Sequence, residues 1–241
     1  MKNIIIAEYY KFIHKRNIVY YTNIIGILLL SIEVIIGNFF EDKFLFLLDI
    51  ILNNLDRLLI FSMLLCTILY EPFKYNTRKN NLILKISKKK TLICGIISQI
   101  SILLIIILYF FSVFIIGLIF SRYDIKEIYS FIPILILKLL IFIPISLVLI
   151  SIGNCVLLIF KSELALLVSY ILIYNFNILI NILEKSFFLN LNSIKEITIN
   201  TQIYLLNLNL ISFYTILRCF NICLITFIIF NVFNYYLYVR D

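Results

Sequence analysis

An all-α integral membrane protein with six transmembrane helices is the fold class that the sequence predicts, and three observations predict it. The first is composition: of 241 residues 63% are hydrophobic and only 14% charged, with a mean hydropathy of +1.09, whereas soluble domains run about 45–50% apolar and 25% charged. The second is pattern. Apolar runs of spanning length recur along the chain, and the roughly ten-residue alternation of a transmembrane barrel is absent. The third is an asymmetric distribution of Lys and Arg between the connections, which gives the spans a direction. At about 20 residues per span the length accommodates about six, with no room expected for a soluble catalytic domain.

The elements follow in order. Residues 1–17 place Ile5, Ile6, Tyr9, Phe12 and Ile13 against Glu8, Lys11, Lys15 and Arg16. That spacing suits a short amphipathic helix in the inner interface, with a plain charged anchor as the alternative. Its apolar stretch is too short, and too soon followed by charge, for a cleavable signal peptide, so the start is expected to be retained. Spans are predicted at residues 18–37, 52–70, 92–120, 131–160, 164–183 and 210–236, the third long enough to tilt. Pro133 and Pro144 lie on nearly one face of the fourth. Pro144, at mid-span, is expected to kink that helix, as a hinge or as a static bend. The stretch 184–209 is rich in Asn yet carries Phe187, Phe188, Leu189, Ile197, Ile199 and Ile203. Too apolar for a solvated loop and too interrupted to span, it reads as one or two outer re-entrant or interfacial helices.

With the N-terminus inside, thirteen cations fall on the inner side: Lys2, Lys11, Lys15, Arg16, Lys74, Arg78, Lys79, Lys85, Lys88, Lys89, Lys90, Lys161 and Arg240. Five fall outside, namely Lys43, Arg122, Lys126, Lys185 and Lys195. This positive-inside bias predicts a multi-pass protein of the cell membrane with both termini cytoplasmic. Tryptophan is absent, so tyrosines such as Tyr20, Tyr70, Tyr129 and Tyr236 are expected to form the interfacial belt.

Several chemistries are disfavoured. None of the glycines, Gly26, Gly37, Gly95, Gly117 and Gly153, precedes a lysine, so the phosphate-binding Gly-Lys-Ser/Thr loop is missing. Cys66, Cys94, Cys155, Cys219 and Cys223 lie within or at the edge of apolar runs, where free cysteine packs as a small hydrophobe. His14 stands alone near the inner surface, without the partners that a metal site or an intramembrane hydrolase needs. A basic balance of +8 on so apolar a chain points to anionic lipid or an acidic partner surface, and not to nucleic acid.

The most informative connection is Glu71 to Ile97, EPFKYNTRKNNLILKISKKKTLICGII. Pro72 helps end the second span. Seven cations then fall between Lys74 and Lys90 and enclose Leu82, Ile83, Leu84 and Ile86. An apolar insert among cations suits a helix that docks in a groove on another protein; a solvated positive-inside loop is the other reading.

Glu71, Thr77, Lys79, Leu82, Ile83, Ser87 and Lys88 stand in the order seen in permease subunits of type-2 ABC exporters, which this segment resembles. In that pattern a Glu closes the second span, and a Thr, a basic residue and an apolar trio follow. A Ser and a basic run then lead into the third span. The N-terminal AEYYKFIHKR, with Glu8 and Lys11, and the ending NYYLYVRD are similar to the same family's ends. Two departures occur: Asn76 where a glycine usually precedes the threonine, and Lys85-Ile86 in place of a frequent proline before the serine.

The resemblance implies a subunit that pairs with a second permease, identical or homologous, and with two cytoplasmic ATPases that carry the ATP and magnesium. This chain itself would bind no cofactor. A cytoplasmic coupling helix within 71–91 would sit on the ATPase through Glu71, Lys74, Thr77, Arg78, Lys79, Leu82, Ile83, Ser87 and Lys88, and transmit ATP closure to the spans as rigid-body movement. Short, Ile- and Asn-rich members of the family are similar to permeases of bacteriocin or lantibiotic self-immunity and of amphipathic-peptide export. A lipid or hydrophobic drug as cargo, or an ion-coupled carrier, are the alternatives.

Five ionisable residues fall within the predicted spans: Glu33, Asp56, Arg57, Lys138 and Arg218. Each costs about 2.5–3.5 kcal/mol at mid-helix on the insertion scale, so each needs a partner. In the predicted topology all five lie in the outer half. They are expected to form a polar cluster in which Glu33 and Asp56 neutralise Lys138 or Arg218, as an exit latch or a cargo contact; purely structural pairing is the other reading.

Overall fold

The computed structural model describes Leu28, Ile32, Leu55, Leu59 and residues 88–120, 125–187, 190–208 and 212–240. Regular structure among the described residues is helical throughout, as composition and periodicity predict. The helices are α1 (Lys88–Phe120), α2 (Ile125–Phe160), α3 (Glu163–Tyr174), α4 (Phe176–Phe187), α5 (Asn192–Ile197), α6 (Ile199–Tyr204), a 3₁₀ turn at Leu205–Asn207, and α7 (Phe213–Arg240).

Two of them are long and apolar enough to cross a membrane, over Ile132–Phe160 in α2 and Phe213–Tyr238 in α7. At 1.5 Å per residue the 29-residue stretch of α2 reaches about 43 Å, more than the roughly 30 Å hydrocarbon core. A third crossing is formed if α3 and α4, bent by 55° at their junction, are taken together. The fifth predicted span therefore differs from expectation. Residues 164–183 are not one straight helix but two, broken at Asn175. No proline or glycine marks the break. The Asn175 side chain instead donates back to the carbonyl of Ile171 at 2.8 Å, the local competition with helical bonding that disfavours Asn in helix interiors.

α2 runs as a single 36-residue helix through both Pro133 and Pro144. Pro144 is buried, and its missing N–H removes the bond that the carbonyl of Leu140 would accept. The helix closes at Lys161, whose φ of 51° puts a non-glycine residue in the left-handed conformation just past the last turn. Lys161 N–H donates to Leu157 at 2.9 Å, and the extended Ser162 then opens α3.

α2 is the hub. Ile141, Phe142, Ile145, Leu149 and Leu157 on its faces are almost wholly enclosed, and Leu55, Leu59, Leu103, Leu166, Cys219 and Cys223 pack in the same cluster. α7 lies alongside α2 as its main partner. The two run parallel, because Ser151 meets Asn231 and Asn234 and Leu158 meets Tyr238 at one constant offset. α1 is antiparallel to α2, with Leu92 beside Leu158 and Gln99 beside Asn154. The start of α1 at Lys88, the end of α2 before Lys161 and the end of α7 at Arg240 thus share one end of the bundle. α5 and α6 sit toward the opposite end, where the sequence predicts short helices between the last two spans.

Candidate functional site

The polar groups of the described residues gather in two places. The first is the end of the bundle where α2, the α3–α4 break, α5, α6 and the start of α7 meet. Lys138, on α2, is 0% exposed. Its ammonium donates to the carbonyl of Leu206 at 2.6 Å and of Leu205 at 3.5 Å, and also to that of Leu208. These carbonyls close the 3₁₀ turn after α6, and the terminal carbonyls of a helix lack intrahelical donors and carry partial negative charge. A buried lysine therefore caps a helix end that reaches it from elsewhere in the fold. The lost hydration of the ammonium is offset by charge-assisted bonds.

The break at Asn175 is stitched to α6 by side chains. Asn200 donates to the carbonyls of Ile173, at 3.3 Å, and Tyr174. Asn177 donates to Asn200 Oδ1 at 3.2 Å and Thr201 Oγ1 at 3.0 Å, and accepts from Thr198 Oγ1 at 2.9 Å. Thr198 caps α6 by accepting from Thr201 N–H. Carbonyls exposed by a broken helix need donors when water is scarce, and these amides supply them. The segment is tied further by a Lys195–Glu184 ion pair, by Leu191 N–H donating to Glu184 at 2.7 Å, and by buried Gln202 donating to the carbonyl of Glu196 at 2.9 Å. On α7, Arg218 pairs with Glu196 at 2.5 Å, both side chains being exposed.

The second place lies toward the other end. Gln99 and Asn154, 0% and 2% exposed, form a reciprocal amide pair across α1 and α2, with bonds of 2.8 and 3.0 Å. One turn away, Asn231 donates to Ser151 Oγ at 2.9 Å and Asn234 to the Ser151 carbonyl at 2.8 Å, joining α2 to α7. The Oδ1 of Asn234 and the Oγ of Ser146 are buried without a hydrogen-bond partner among the described residues.

Of the residues singled out in the sequence, Lys138 and Arg218 engage the same segment, 190–208, through different partners. Lys138 takes backbone carbonyls and Arg218 takes Glu196. Glu33, Asp56 and Arg57 lie outside the described residues, as do Glu71, Lys74, Thr77, Arg78, Lys79, Leu82, Ile83 and Ser87. Lys88 is the first residue of α1. Pro144 lines an apolar pocket of about 210 Å³ with Leu140, Ile143, Phe213, Ile216, Leu217 and Phe220, between α2 and the start of α7.

Sequence reasoning missed Gln99, Asn154, Asn177, Glu196 and Asn200. The signal available for three of them was an amide inside an apolar run. Cys94, Cys155, Cys219 and Cys223 are free and buried, and no three of His, Cys, Asp and Glu stand together as a metal-ligand set among the described residues. Comparison with models of protein families, with characterised proteins and with solved structures finds no match to this chain.

Proposed function

We propose that the chain is the transmembrane permease subunit of an ATP-driven exporter of the type-2 ABC class, with six spans and both termini cytoplasmic. Separate ATPase subunits would dock on the basic connection that leads into α1. The observation that carries this function is the ordered pattern Glu71, Thr77, Lys79, Leu82, Ile83, Ser87, Lys88. It runs directly into the end of the bundle where α1 begins, α2 closes before Lys161, and α7 ends at Arg240. A basic end is what a positive-inside orientation requires, and it is the end on which a cytoplasmic engine would act.

The cargo is an apolar or amphipathic peptide, as in self-immunity against bacteriocins or lantibiotics. The apolar pocket beside Pro144 supports a cargo with few polar groups. Pro144 would serve there as the bend or hinge between access states.

Affinity purification of the full chain from its native membrane in mild detergent tests the assignment. A co-purifying ATPase with a phosphate-binding Gly-Lys loop is expected, and the double change Arg78→Glu with Lys79→Glu should release it while the chain stays in the membrane. Recovery of a lone chain, with no ATPase and no response to ATP, would overturn it.

A further inference from the structure

Pro144 lies between two polar ties that join α2 to its neighbours. On one side Lys138 is held by the carbonyls of Leu205, Leu206 and Leu208, and a short stretch of chain leads from there to Phe213, the first residue of α7. On the other side Ser151 is held by Asn231 and Asn234 of α7 itself. Along the helix Lys138 stands about 9 Å before Pro144, and Ser151 about 10 Å after it. The two parallel helices differ between these ties. α7 contains neither proline nor glycine, whereas Pro144 leaves the Leu140 carbonyl of α2 without its helical donor. Beside that missing bond the helices stand apart, around the pocket of about 210 Å³ that Leu140 and Ile143 line with Phe213, Ile216 and Phe220. A helix bends where its ladder is interrupted, and a cavity there leaves the bend room that close packing would deny.

We propose that Lys138 is the clasp of a hinge at Pro144. While its ammonium holds the 3₁₀ turn, the first half of α2 stays drawn to the start of α7. When it lets go, residues 125–143 swing away from α7 as a unit and widen the pocket. The amide layer at Ser151 keeps the second half of α2 in place, so the swing is confined to one end. Between helices surrounded by lipid, apolar packing favours neither position strongly, which leaves the polar tie to decide. The tie is also one that can exchange. Its acceptors are neutral carbonyls with no full negative charge, and Lys138 lies only about 9 Å inside the crossing that begins at Ile132. A released lysine can extend its stem toward the headgroups and keep its ammonium solvated. The inference deepens the role proposed above for Pro144 and rests on that reading, but it requires neither an ATPase nor a cargo.

The test follows distances in the full chain, in vesicles of phosphatidylcholine and phosphatidylglycerol without ATPase. Tyr129 is about 22 Å from Pro144 along α2, so a change of about 20° in the bend moves it by roughly 8 Å. With the five native cysteines replaced by alanine, spin labels on Tyr129→Cys and Tyr214→Cys report this swing. Labels on Ile159→Cys and Val232→Cys report the other end, and all four positions are exposed. Lys138→Met should add a longer distance to the first pair and leave the second pair unchanged. Adding Pro144→Ala should abolish the longer distance, because the restored N–H can bond the Leu140 carbonyl. Pro144→Ala alone, with Lys138 in place, should narrow the distribution of the first pair, a comparison that stands even where Lys138→Met fails to fold. An unchanged first pair in folded Lys138→Met, equal lengthening with and without Pro144, or equal widths for Pro144→Ala and the unsubstituted chain would each overturn the clasp. ATPase co-purification is a separate measurement, so the failure of either reading is distinguishable from that of the other.

Discussion

The two ends of the described bundle are held together by different chemistry. Toward the end that carries Lys88 and Arg240, long continuous helices are joined by neutral side chains. Gln99 pairs with Asn154, and Asn231 and Asn234 reach Ser151. Toward the opposite end several helices are short or broken, and side chains reach backbone carbonyls that the helix ends expose. Lys138 reaches Leu205, Leu206 and Leu208, and Asn200 reaches Ile173 and Tyr174. In lipid, apolar packing gives helices little reason to prefer each other over acyl chains, so polar contacts and close packing set the arrangement. An amide pair between two continuous helices fixes their register. A side chain that caps a helix end instead fixes a separate segment onto the bundle, and its loss leaves two or three carbonyls without their present donor.

The contrast predicts that the largest single effect lies at Lys138. Lys138→Met keeps most of the stem volume and removes the ammonium from three carbonyls, for an expected loss of about 3 kcal/mol. The measurement is thermal unfolding in detergent together with protease cleavage within 190–208. A melting point equal to that of the unsubstituted chain, with no new cleavage, would contradict the capping role. At the other end, Asn154→Leu removes both bonds of the amide pair and should cost about 1–2 kcal/mol. Combining it with Gln99→Leu should recover part of that loss, because two apolar partners leave no polar group to satisfy. A double variant that is worse than the sum of the singles would show that the pair does not act as a unit.

What the sequence makes legible follows the same division. Apolar runs predict the long helices closely: 131–160 against a crossing at Ile132–Phe160, and 210–236 against Phe213–Tyr238. Two short helices appear within 184–209, where amides interrupt hydrophobic residues. Lys138 stands out because a cation in an apolar run is expensive wherever it points. Its partners do not stand out, because the carbonyls at a helix end have no signature in side-chain identity. The break at Asn175 is nearly as silent, since a lone Asn disfavours a helix interior only mildly and neither proline nor glycine accompanies it, and the donors that stabilise it come from Asn200 more than twenty residues later. Charges drew attention to the spans and amides did not, although Gln99 and Asn154 are as deeply buried as Lys138.

Asn200→Ala should produce a smaller and more local effect than either change above. It takes from the α3–α4 break the amide that donates to Ile173 and Tyr174, for a loss of about 1 kcal/mol. Hydrogen exchange should accelerate in residues 171–180 and in α6 while α1 and the second half of α2 keep their protection, because their ties lie at the other end. Uniform acceleration across all helices would mean that the break and the amide layer open together, and the distinction between the two ends would fail.

The smallest effect belongs to Arg218 and Glu196. Their side chains touch at 2.5 Å, yet both are exposed, and exposed ion pairs gain little because solvent and salt screen them and ordering two long side chains is unfavourable. Glu196→Gln should therefore leave the unfolding midpoint unchanged within error, unlike Lys138→Met, whose charge is enclosed. A midpoint of Glu196→Gln that falls clearly at low salt and recovers as salt is added would show that the pair holds segment 190–208 onto α7 more firmly than its exposure implies.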